Sequence, residues 1–339
     1  MDKKKIRAGI TIGDFNGIGM EVIIKTYLDN RMLDFCTPVV YGSSKISSFY
    51  RKKLHIKDFT FNTITDANQM SHKKANLINL WDEEIFIEPG IPSKQAGQYA
   101  VRSLQKATED LAHNKIDVLV TAPLNKKYAQ SDNFKYPGQT EYLAAYAHED
   151  HPMMMMISDV IKLGLLTTHL PVKDVSSNLT REILNLYLKN FEQTLKRDFT
   201  IIKPKIAVLG LNPHAGDNGL LGKEELEIII PVIKELNKTG MVIMGPYSAD
   251  GFFGSGIWKN FDSVLAMYHD QGLAPFKALS FENGVNFTAG LPIVRTSPDH
   301  GTAYDIAGKN LASEISMRNA IITACRIYKA RIEYKELIA

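Results

Sequence analysis

The chain has 339 residues, of which 45% are hydrophobic and 23% are charged, a composition typical of a globular protein with a large core. Its 40 basic and 37 acidic residues leave a formal net charge of only +3, so no strong field would draw it to nucleic acid or to a membrane surface. Only two cysteines occur and no apolar run approaches the ~18 residues that span a bilayer, so we expect a cytoplasmic protein without a disulfide framework, a zinc ribbon or a membrane segment.

Short apolar runs alternate along the chain with longer amphipathic segments, which is the pattern of a largely parallel sheet covered by helices. In chain order, the predicted strands lie near residues 7–13, 37–42, 77–80, 116–121, 205–211, 241–245, 263–268 and 291–295. The predicted helices lie near residues 17–28, 93–113, 176–196, 222–237 and 302–328. The sequence therefore predicts an α/β fold, and its length favours two domains.

Residues 153–170 differ from the rest of the chain. Two apolar runs here are separated by Ser158 and Asp159, a pattern that favours a pair of extended strands over a helix. The four consecutive methionines at the start are expected to be buried packing, because the thioether is a weak ligand for hard divalent ions.

Two glycine-rich segments adjoin predicted strands. GDFNGIG (residues 13–19) joins the first strand to the first helix, where its amides can face an anion, although a purely structural turn explains it equally well. DHGTAYDIAGK (residues 299–309) precedes the last predicted helix and can shape a nucleotide pocket. Neither segment has the Gly-x-Gly-x-x-Gly spacing of the Rossmann fingerprint.

Three apolar runs lead directly into a turn that contains a histidine. The turns are TTHLP with His169, NPHAG with His214 and YHDQG with His269. Open α/β sheets bind their ligands at the carboxyl ends of strands, and three neutral imidazoles around a divalent ion leave coordination positions open for substrate oxygens. Each histidine taken singly is more often a core or loop residue, but three alike predict a catalytic metal site.

A second group of polar residues is suited to anion binding. Lys277, Asn286 and Arg295 lie close together in the sequence, and Arg295 follows the predicted strand LPIV. An arginine at a strand end can clamp a phosphate or carboxylate with two hydrogen bonds, whereas lysine offers a point charge. For any one of these cations a surface salt bridge is the alternative interpretation.

The motifs together resemble those of the 4-hydroxythreonine-4-phosphate dehydrogenases of vitamin B6 biosynthesis. They appear in family order and extend from residue 13 to residue 308: TAPLNK at 121–126, the His169 turn, LNPHAG at 211–216, YHDQGL at 268–273 and the run 295–308. The ordered set is far more specific than any one motif.

This resemblance implies the fold of the isocitrate and isopropylmalate dehydrogenases, in which two α/β lobes flank a cleft that holds the active site. Residues 1–126 plus 266–339 are expected to form a cofactor-binding lobe with both termini. Residues 127–265 are expected to form a second lobe with the dimerisation and metal-binding elements. The resemblance also implies a homodimer whose active sites take residues from both subunits.

Specific roles follow from the matching positions. One divalent cation (zinc, magnesium or cobalt) is expected at His169, His214 and His269. The expected substrate contacts are Gln139, Thr140, Lys277, Asn286 and Arg295, with Lys277 and Asp250 as catalytic residues and Asp250 handling a proton. The segment that resembles the superfamily's adenosine-binding loop is expected to bind NAD, or alternatively NADP, through His300, Gly301, Thr302 and Asp305.

The implied reaction is NAD-dependent oxidation and decarboxylation of 4-phosphohydroxy-L-threonine to 3-amino-2-oxopropyl phosphate. The family usually has His-Thr where this chain has Gln139-Thr140, and Pro-Ala where it has Phe15-Asn16. Glutamine cannot carry charge or shuttle a proton, so a sugar-acid phosphate such as threonate 4-phosphate is an alternative substrate. A phosphate acyltransferase on a similar fold is a second alternative, and the balanced charge disfavours a nucleic-acid-binding module.

Overall fold

A computed structural model describes residues 5–338 of the chain. The strands are β1 (Arg7–Thr11), β2 (Thr37–Gly42), β3 (Asn62–Ile64), β4 (Asn76–Asn79), β5 (Val118–Thr121), β6 (Met153–Ile157), β7 (Lys162–Leu165), β8 (Lys205–Leu209), β9 (Val242–Tyr247), β10 (Ser263–Ala266), β11 (Val285–Ala289) and β12 (Arg295–Pro298).

The α-helices are α1 (Gly19–Leu28), α2 (Met32–Phe35), α3 (Ser44–Lys53), α4 (Lys94–Ala112), α5 (Lys126–Ala129), α6 (Gln139–Tyr146), α7 (Val175–Asn178), α8 (Arg181–Phe199), α9 (Ile230–Lys238), α10 (Ala249–Gly254), α11 (His269–Ser280) and α12 (Ile315–Ile338). Shorter helical turns lie at Ala67–Gln69, Val172–Asp174, Pro213–Gly219, Glu225–Ile229 and Ile257–Asn260. None of the helices within residues 5–338 is both long enough and apolar enough to cross a bilayer.

The chain divides into two compact units. The first unit comprises the residues up to Asp150 together with Leu291–Tyr328, and the second comprises His151–Gly290 together with the residues from Lys329 onward. The lobe boundaries expected near residues 127 and 265, and the roles assigned to the lobes, stay predictions.

The first unit is built on a fully parallel sheet in the order β3-β4-β2-β1-β5-β12. Parallel strands covered on both faces carry nearly continuous apolar side chains, and all six residues of β2 are buried. Helix α4 begins after Ser93, whose hydroxyl accepts a hydrogen bond from the Ala96 amide at 3.1 Å. Its buried Ser103 donates to the Tyr41 carbonyl at 2.6 Å and accepts from the Ile12 amide at 3.2 Å, which fixes the helix against the ends of β1 and β2.

The second unit has a mixed sheet in the order β11-β6-β7-β10-β8-β9. Strand β6 is antiparallel to both β11 and β7, whereas β7, β10, β8 and β9 run parallel. The predicted strand pair in residues 153–170 is therefore confirmed. The Ser158 hydroxyl accepts the amide of Ile161 at 3.2 Å in the intervening turn, and Met153, Met155 and Met156 are buried.

The predicted strands before residue 270 are confirmed, but two predictions near the C-terminus are wrong. The strand expected at 291–295 begins only at Arg295, because Pro292 has no amide to donate to a ladder. The helix expected at 302–328 begins only at Ile315. The preceding turns hold Ala303, Gly308 and Asn310 at φ of 44°, 68° and 62°, which an α-helix cannot accommodate.

Candidate active site

Four polar residues follow adjacent parallel strands of the second unit. In sheet order, His169 follows β7, His269 follows β10, His214 follows β8 and Asp250 follows β9. The register aligns Leu163 with Val264 and Val264 with Ala207, so the strands end at similar heights. Since the carboxyl ends of parallel strands meet at one edge of a sheet, the fold directs these four residues to the same edge.

His169 and His269 are close together. Their ring centroids lie 6.2 Å apart with the planes inclined by 39°. His269 Nδ1 pairs with an Asp270 carboxylate oxygen at 2.6 Å. This contact orients the ring, so that Nε2 is the ring nitrogen that points away from Asp270. Two imidazoles that share one tetrahedral ion at ~2.1 Å would have centroids about 5 Å apart, so a small approach of the rings would allow them to share an ion.

The full ligand set is not assembled in the described residues. Within residues 5–338, no group of three or more His, Cys, Asp or Glu side chains has the geometry of a metal site. The proximity of His169 to His269 and their shared edge with His214 are suited to a divalent ion. The assignment of all three as ligands stays a prediction.

His214 lies in a left-handed turn. From His214 to Asn218 every residue has positive φ, between 42° and 83°. Such a conformation costs roughly 1–2 kcal/mol for each residue that is not glycine, and strain of this kind is concentrated at functional sites. Sequence analysis did not predict this turn, although Gly216, Asp217 and Asn218 are residue types that adopt positive φ more readily than others.

The buried carboxylate of Glu225 supports the left-handed turn. It accepts hydrogen bonds from the backbone amide of Asn212 at 2.7 Å and from the Asn212 side-chain amide at 2.9 Å. A Cβ at Gly216 would lie 2.6 Å from the same carboxylate, so only glycine permits this close approach. Glu225, which the sequence interpretation missed, therefore helps to position His214.

Asp250 is held as a carboxylate. A hydrogen bond from the Ser248 hydroxyl, supported by the Gly251 amide and the charge of His214, lowers the pKa of Asp250. A lowered pKa makes this group a weak proton acceptor at neutral pH and favours an electrostatic role beside His214. Its proton-handling role stays a prediction.

Lys277 and Asn286 occupy different parts of the second unit. Lys277 is half-buried in α11, about 12 Å along the helix axis from His269, and its ammonium group has no hydrogen bond or ion pair among the described residues. Asn286 pairs with Met156, which is level with Leu163 in the neighbouring strand. The register therefore places Asn286 two residues before β7 ends, rather than at the edge where the histidines follow.

The first unit brings together three predicted substrate residues. Arg295 is buried at the start of β12, and its guanidinium donates to the Thr121 hydroxyl at 2.6 and 3.0 Å and to the Thr140 hydroxyl at 3.3 Å. The adjacent Gln139 donates its side-chain amide to the Ala122 carbonyl at 3.1 Å. Burial lowers the pKa of Arg295 to about 10, with the Glu141 charge acting in the opposite direction, so the guanidinium stays cationic at neutral pH.

The predicted cofactor segment consists of turns that pack on the first glycine-rich turn. The Thr302 carbonyl accepts from the Ile18 amide at 3.0 Å, and the Gly308 amide donates to the buried Glu21 carboxylate at 3.0 Å. His300 Nδ1 bonds to the Gly301 carbonyl at 3.0 Å. Its Nε2 is buried without a partner in the described part of the chain, and burial lowers the pKa of His300. Gly301 and Asp305 are exposed.

The first glycine-rich turn does not present its amides as an anion site. The amides of Asp14, Asn16, Gly17 and Ile18 all donate to protein oxygens, so the anion-binding interpretation is wrong for these four. The turn instead holds the buried carboxylate of Asp14, which accepts from the Tyr304 hydroxyl at 2.6 Å. Burial raises the pKa of Asp14.

Asn16, where the family more often has alanine, also has a structural role in the first unit. Its side chain accepts from the Glu88 amide at 2.9 Å and donates to the Ile91 carbonyl at 2.8 Å. Its own carbonyl accepts from the Gly90 amide at 2.8 Å. These bonds hold residues 88–91 against the glycine-rich turn.

Sheets with polar residues after the carboxyl ends of their parallel strands are typical of α/β enzymes, and comparison with known proteins identifies the family. The chain matches the family described as pyridoxal phosphate biosynthetic protein PdxA over residues 34–324. It is 49% identical to the 4-hydroxythreonine-4-phosphate dehydrogenase of Bacteroides thetaiotaomicron, with 98% of this chain and 91% of the relative covered. The chain belongs to the PdxA family.

Two further comparisons bear on fold and substrate. A crystal structure of 4-hydroxythreonine-4-phosphate dehydrogenase from Klebsiella pneumoniae is 33% identical, with a TM-score of 0.83 over 97% of this chain and 99% of that one. A relative from Oceanobacillus iheyensis, provisionally named as a D-threonate 4-phosphate dehydrogenase, is 39% identical over 96% of this chain and 99% of its own length. The family resemblance and the α/β fold class predicted from the sequence are thereby confirmed.

Proposed function

We propose that the protein is a dehydrogenase that oxidises and decarboxylates 4-phosphohydroxy-L-threonine to 3-amino-2-oxopropyl phosphate in pyridoxal phosphate biosynthesis. The alignment of His169, His269 and His214 after three adjacent parallel strands carries the proposal, because it gives the reaction a place for a divalent cation. The names of the family relatives support the substrate.

The chain's own residues have distinct roles in this proposal. The three imidazoles would hold one zinc, cobalt or magnesium ion, with Asp250 adding negative charge beside His214. Such an ion supplies Lewis-acid chemistry when bound, because it favours the ionised form of a coordinated hydroxyl and stabilises negative charge as carbon dioxide leaves. The parallel register brings the strand ends that lead to these three histidines to one edge of the sheet.

Charged groups of each unit are suited to the anionic substrate. In the first unit, the buried guanidinium of Arg295 is already oriented by Thr121 and Thr140, so it can bind a phosphate or carboxylate without ordering a flexible side chain. In the second unit, the half-buried Lys277 offers an ammonium without a protein partner among the described residues. A charged hydrogen bond of this kind contributes roughly 1.5–3 kcal/mol.

The cofactor in this proposal is NAD, with NADP as the alternative. The unpartnered Nε2 of His300 supports a ligand beside residues 300–305, since buried polar atoms rarely lack a partner. Gly301 and Asp305 are exposed in the same turn and would contact the cofactor with Thr302. We propose further, on the family resemblance, a cytoplasmic homodimer with shared active sites.

Initial-rate assays test the function directly. Purified protein with NAD and a divalent ion should form NADH from 4-phosphohydroxy-L-threonine, with release of carbon dioxide, and a chelator should abolish the reaction. Formation of NADH without sensitivity to a chelator would contradict the metal role. Acyl transfer to phosphate without NADH formation would instead identify a phosphate acyltransferase.

Threonate 4-phosphate is retained as a second substrate because of two observations. Gln139 replaces the histidine usual in the family, and the relative from Oceanobacillus iheyensis is named for D-threonate 4-phosphate. The proposal expects a higher kcat/KM with 4-phosphohydroxy-L-threonine. A higher value with D-threonate 4-phosphate would reverse the assignment of substrate while retaining the dehydrogenase chemistry.

A further inference from the structure

The side-chain amide of Gln271 joins two of the strand ends that lead to the histidines. Its Oε1 accepts a hydrogen bond from the Met267 amide at 2.7 Å, and its Nε2 donates to the Gly210 carbonyl at 2.6 Å. Met267 follows β10 and is two residues before His269, whereas Gly210 follows β8 and is four residues before His214. One amide therefore links the backbones that carry two of the three imidazoles.

These bonds begin where the sheet hydrogen bonding stops. The last aligned pair between β10 and β8 is Leu265 with Val208. Beyond this pair the two strands end and the backbone continues into separate turns. Met267 and Gly210 are both buried, so a backbone group left unpaired here would carry the full desolvation cost of a buried polar group. Gln271 satisfies one such group on each strand and at the same time fixes the distance between them.

The link continues across the neighbouring strand ends. On one side, the Thr167 hydroxyl donates to the Met267 carbonyl at 2.7 Å and connects β7 to β10. On the other side, the Gly210 amide donates to the Tyr247 carbonyl at 2.8 Å and connects β8 to β9. Gln271 therefore connects the pair β7 and β10 to the pair β8 and β9.

Only glutamine satisfies both ends of this link. Glutamate lacks the donor that the Gly210 carbonyl requires, and asparagine is shorter by one methylene. Gln271 is also the third residue of α11, from which a glutamine side chain commonly reaches back to an amide before the helix. Its position therefore ties the first turn of α11, including His269, to both strands.

We infer that Gln271 is a positioning residue that sets the separation of His269 from His214, and this inference rests on the proposed role of these histidines. Gln271 acts through the backbone and needs no contact with substrate. Without it, the ends of β10 and β8 would lose the side-chain link that holds the turns of His269 and His214 at a fixed separation.

The test compares Gln271→Met with Asn237→Leu. Asn237 is a matched control in the same unit, since its amide also accepts from and donates to the backbone, at Ile243, with both distances 2.9 Å. Both variants lose two hydrogen bonds of the same kind, but only Gln271 links strands that carry histidines. The readouts are the Co²⁺ dissociation constant by calorimetry, kcat and KM, and amide hydrogen exchange.

Gln271→Met should weaken Co²⁺ binding by roughly 10–100-fold and lower kcat more than it changes KM, as residues that orient metal ligands do. Asn237→Leu should lower thermal stability, while the Co²⁺ affinity should stay within about twofold of wild type, because substitutions at distant, independent sites change one another's effects only slightly. Wild-type affinity in Gln271→Met, or an equal loss in Asn237→Leu, would overturn the inference.

Hydrogen exchange separates this inference from the proposed function. If the wild-type protein binds no Co²⁺, the metal role fails, but amides at residues 210–214 and 267–269 still report on the link. Faster exchange there in Gln271→Met, and not in Asn237→Leu, supports positioning by Gln271. Unchanged exchange in Gln271→Met overturns it.

Discussion

The imidazole rings of His169 and His269 lie with their centroids 6.2 Å apart, although the two residues follow different strands. Parallel pairing of β7 with β10 produces this proximity, because it brings the carboxyl ends of both strands to one edge. His214 reaches the same edge from the next strand, β8, on a strained turn. The geometry of that turn leads to the first prediction.

Replacing Gly216 by alanine should damage both stability and catalysis. The new Cβ would lie 2.6 Å from Glu225 Oε2 and displace the turn that carries His214. Gly240→Ala is the control, because Gly240 also has positive φ but a Cβ there would have no neighbour within 4 Å. Urea unfolding should show a loss of about 1 kcal/mol for Gly240→Ala and roughly 2–4 kcal/mol for Gly216→Ala. Only Gly216→Ala should reduce turnover, and equal losses would contradict the proposed support by Glu225.

Replacing Arg295 by lysine should raise KM for the phosphorylated substrate by roughly 10-fold or more, with a smaller effect on the fold. Lysine keeps the charge but cannot make three directed bonds to Thr121 and Thr140. The control is Arg7→Lys, since Arg7 forms a two-bond pair with Asp117 at 2.6 and 3.0 Å in the same unit. That variant should lose stability and keep the wild-type KM. An unchanged KM in Arg295→Lys would remove Arg295 from the substrate site.

Gln139→His should add a pH dependence of KM beyond that of the wild-type enzyme. Gln139 is neutral and lies beside Thr140, whereas a histidine there would gain charge as pH falls through about 6.5. The ratio of the variant's KM for 4-phosphohydroxy-L-threonine to the wild-type KM should therefore fall several-fold between about pH 8 and pH 6, since a charged hydrogen bond to phosphate is about twice as strong as a neutral one. Parallel profiles for both proteins would show that residue 139 does not contact the phosphate.

Asp14→Asn should change how stability depends on pH. Because burial raises the pKa of Asp14, its favourable contribution is fully present below the unfolded value of about 3.9 and is lost as pH rises through the folded pKa. The free energy of unfolding of the variant, relative to wild type, should therefore increase between about pH 3.5 and pH 7. Urea unfolding at several pH values measures this difference.

Asp29→Asn is a control in which the change of stability with pH should have the opposite sign. Hydrogen bonds from Arg31 lower the pKa of Asp29 to about 2, so its contribution is present at neutral pH and is lost in acid. The Asp29→Asn variant should therefore lose stability relative to wild type as pH rises from about 2 to about 4, and change little at higher pH. The same trend in both variants would contradict the opposite effects assigned to the two carboxylates.

Predictions from the sequence succeeded where local pattern and burial agree. Strand β2 was predicted with its observed bounds because all its residues are buried, and the break at Ser158 identified the pair β6 and β7. Helix α11 was missed because Gly272 and Pro275 interrupt a helical pattern. Gly272 is required there by packing, since a Cβ would lie 2.6 Å from Leu163 and from Leu165.

The site was predictable to the extent that strand ends indicate ligand positions. The histidines at these ends, and the grouping of Arg295 with Thr140, follow from motifs within the sequence. The contributions of Glu225, Gln271 and the Asp14–Tyr304 pair do not, because each depends on contacts between segments distant in sequence. A left-handed turn at His214 is likewise stabilised by tertiary contacts rather than by local residue preference.

Binding of Co²⁺ to wild-type protein and to the variants His169→Ala, His214→Ala and His269→Ala is the most direct test of the central claim. Calorimetry and the visible Co²⁺ spectrum should show one ion per chain in the wild type. Each single variant, folded as judged by circular dichroism, should lose affinity by at least about 100-fold, because only two of the three protein ligands would remain to bind the ion. Wild-type affinity in any of the three variants would contradict the claim that these histidines hold one cation.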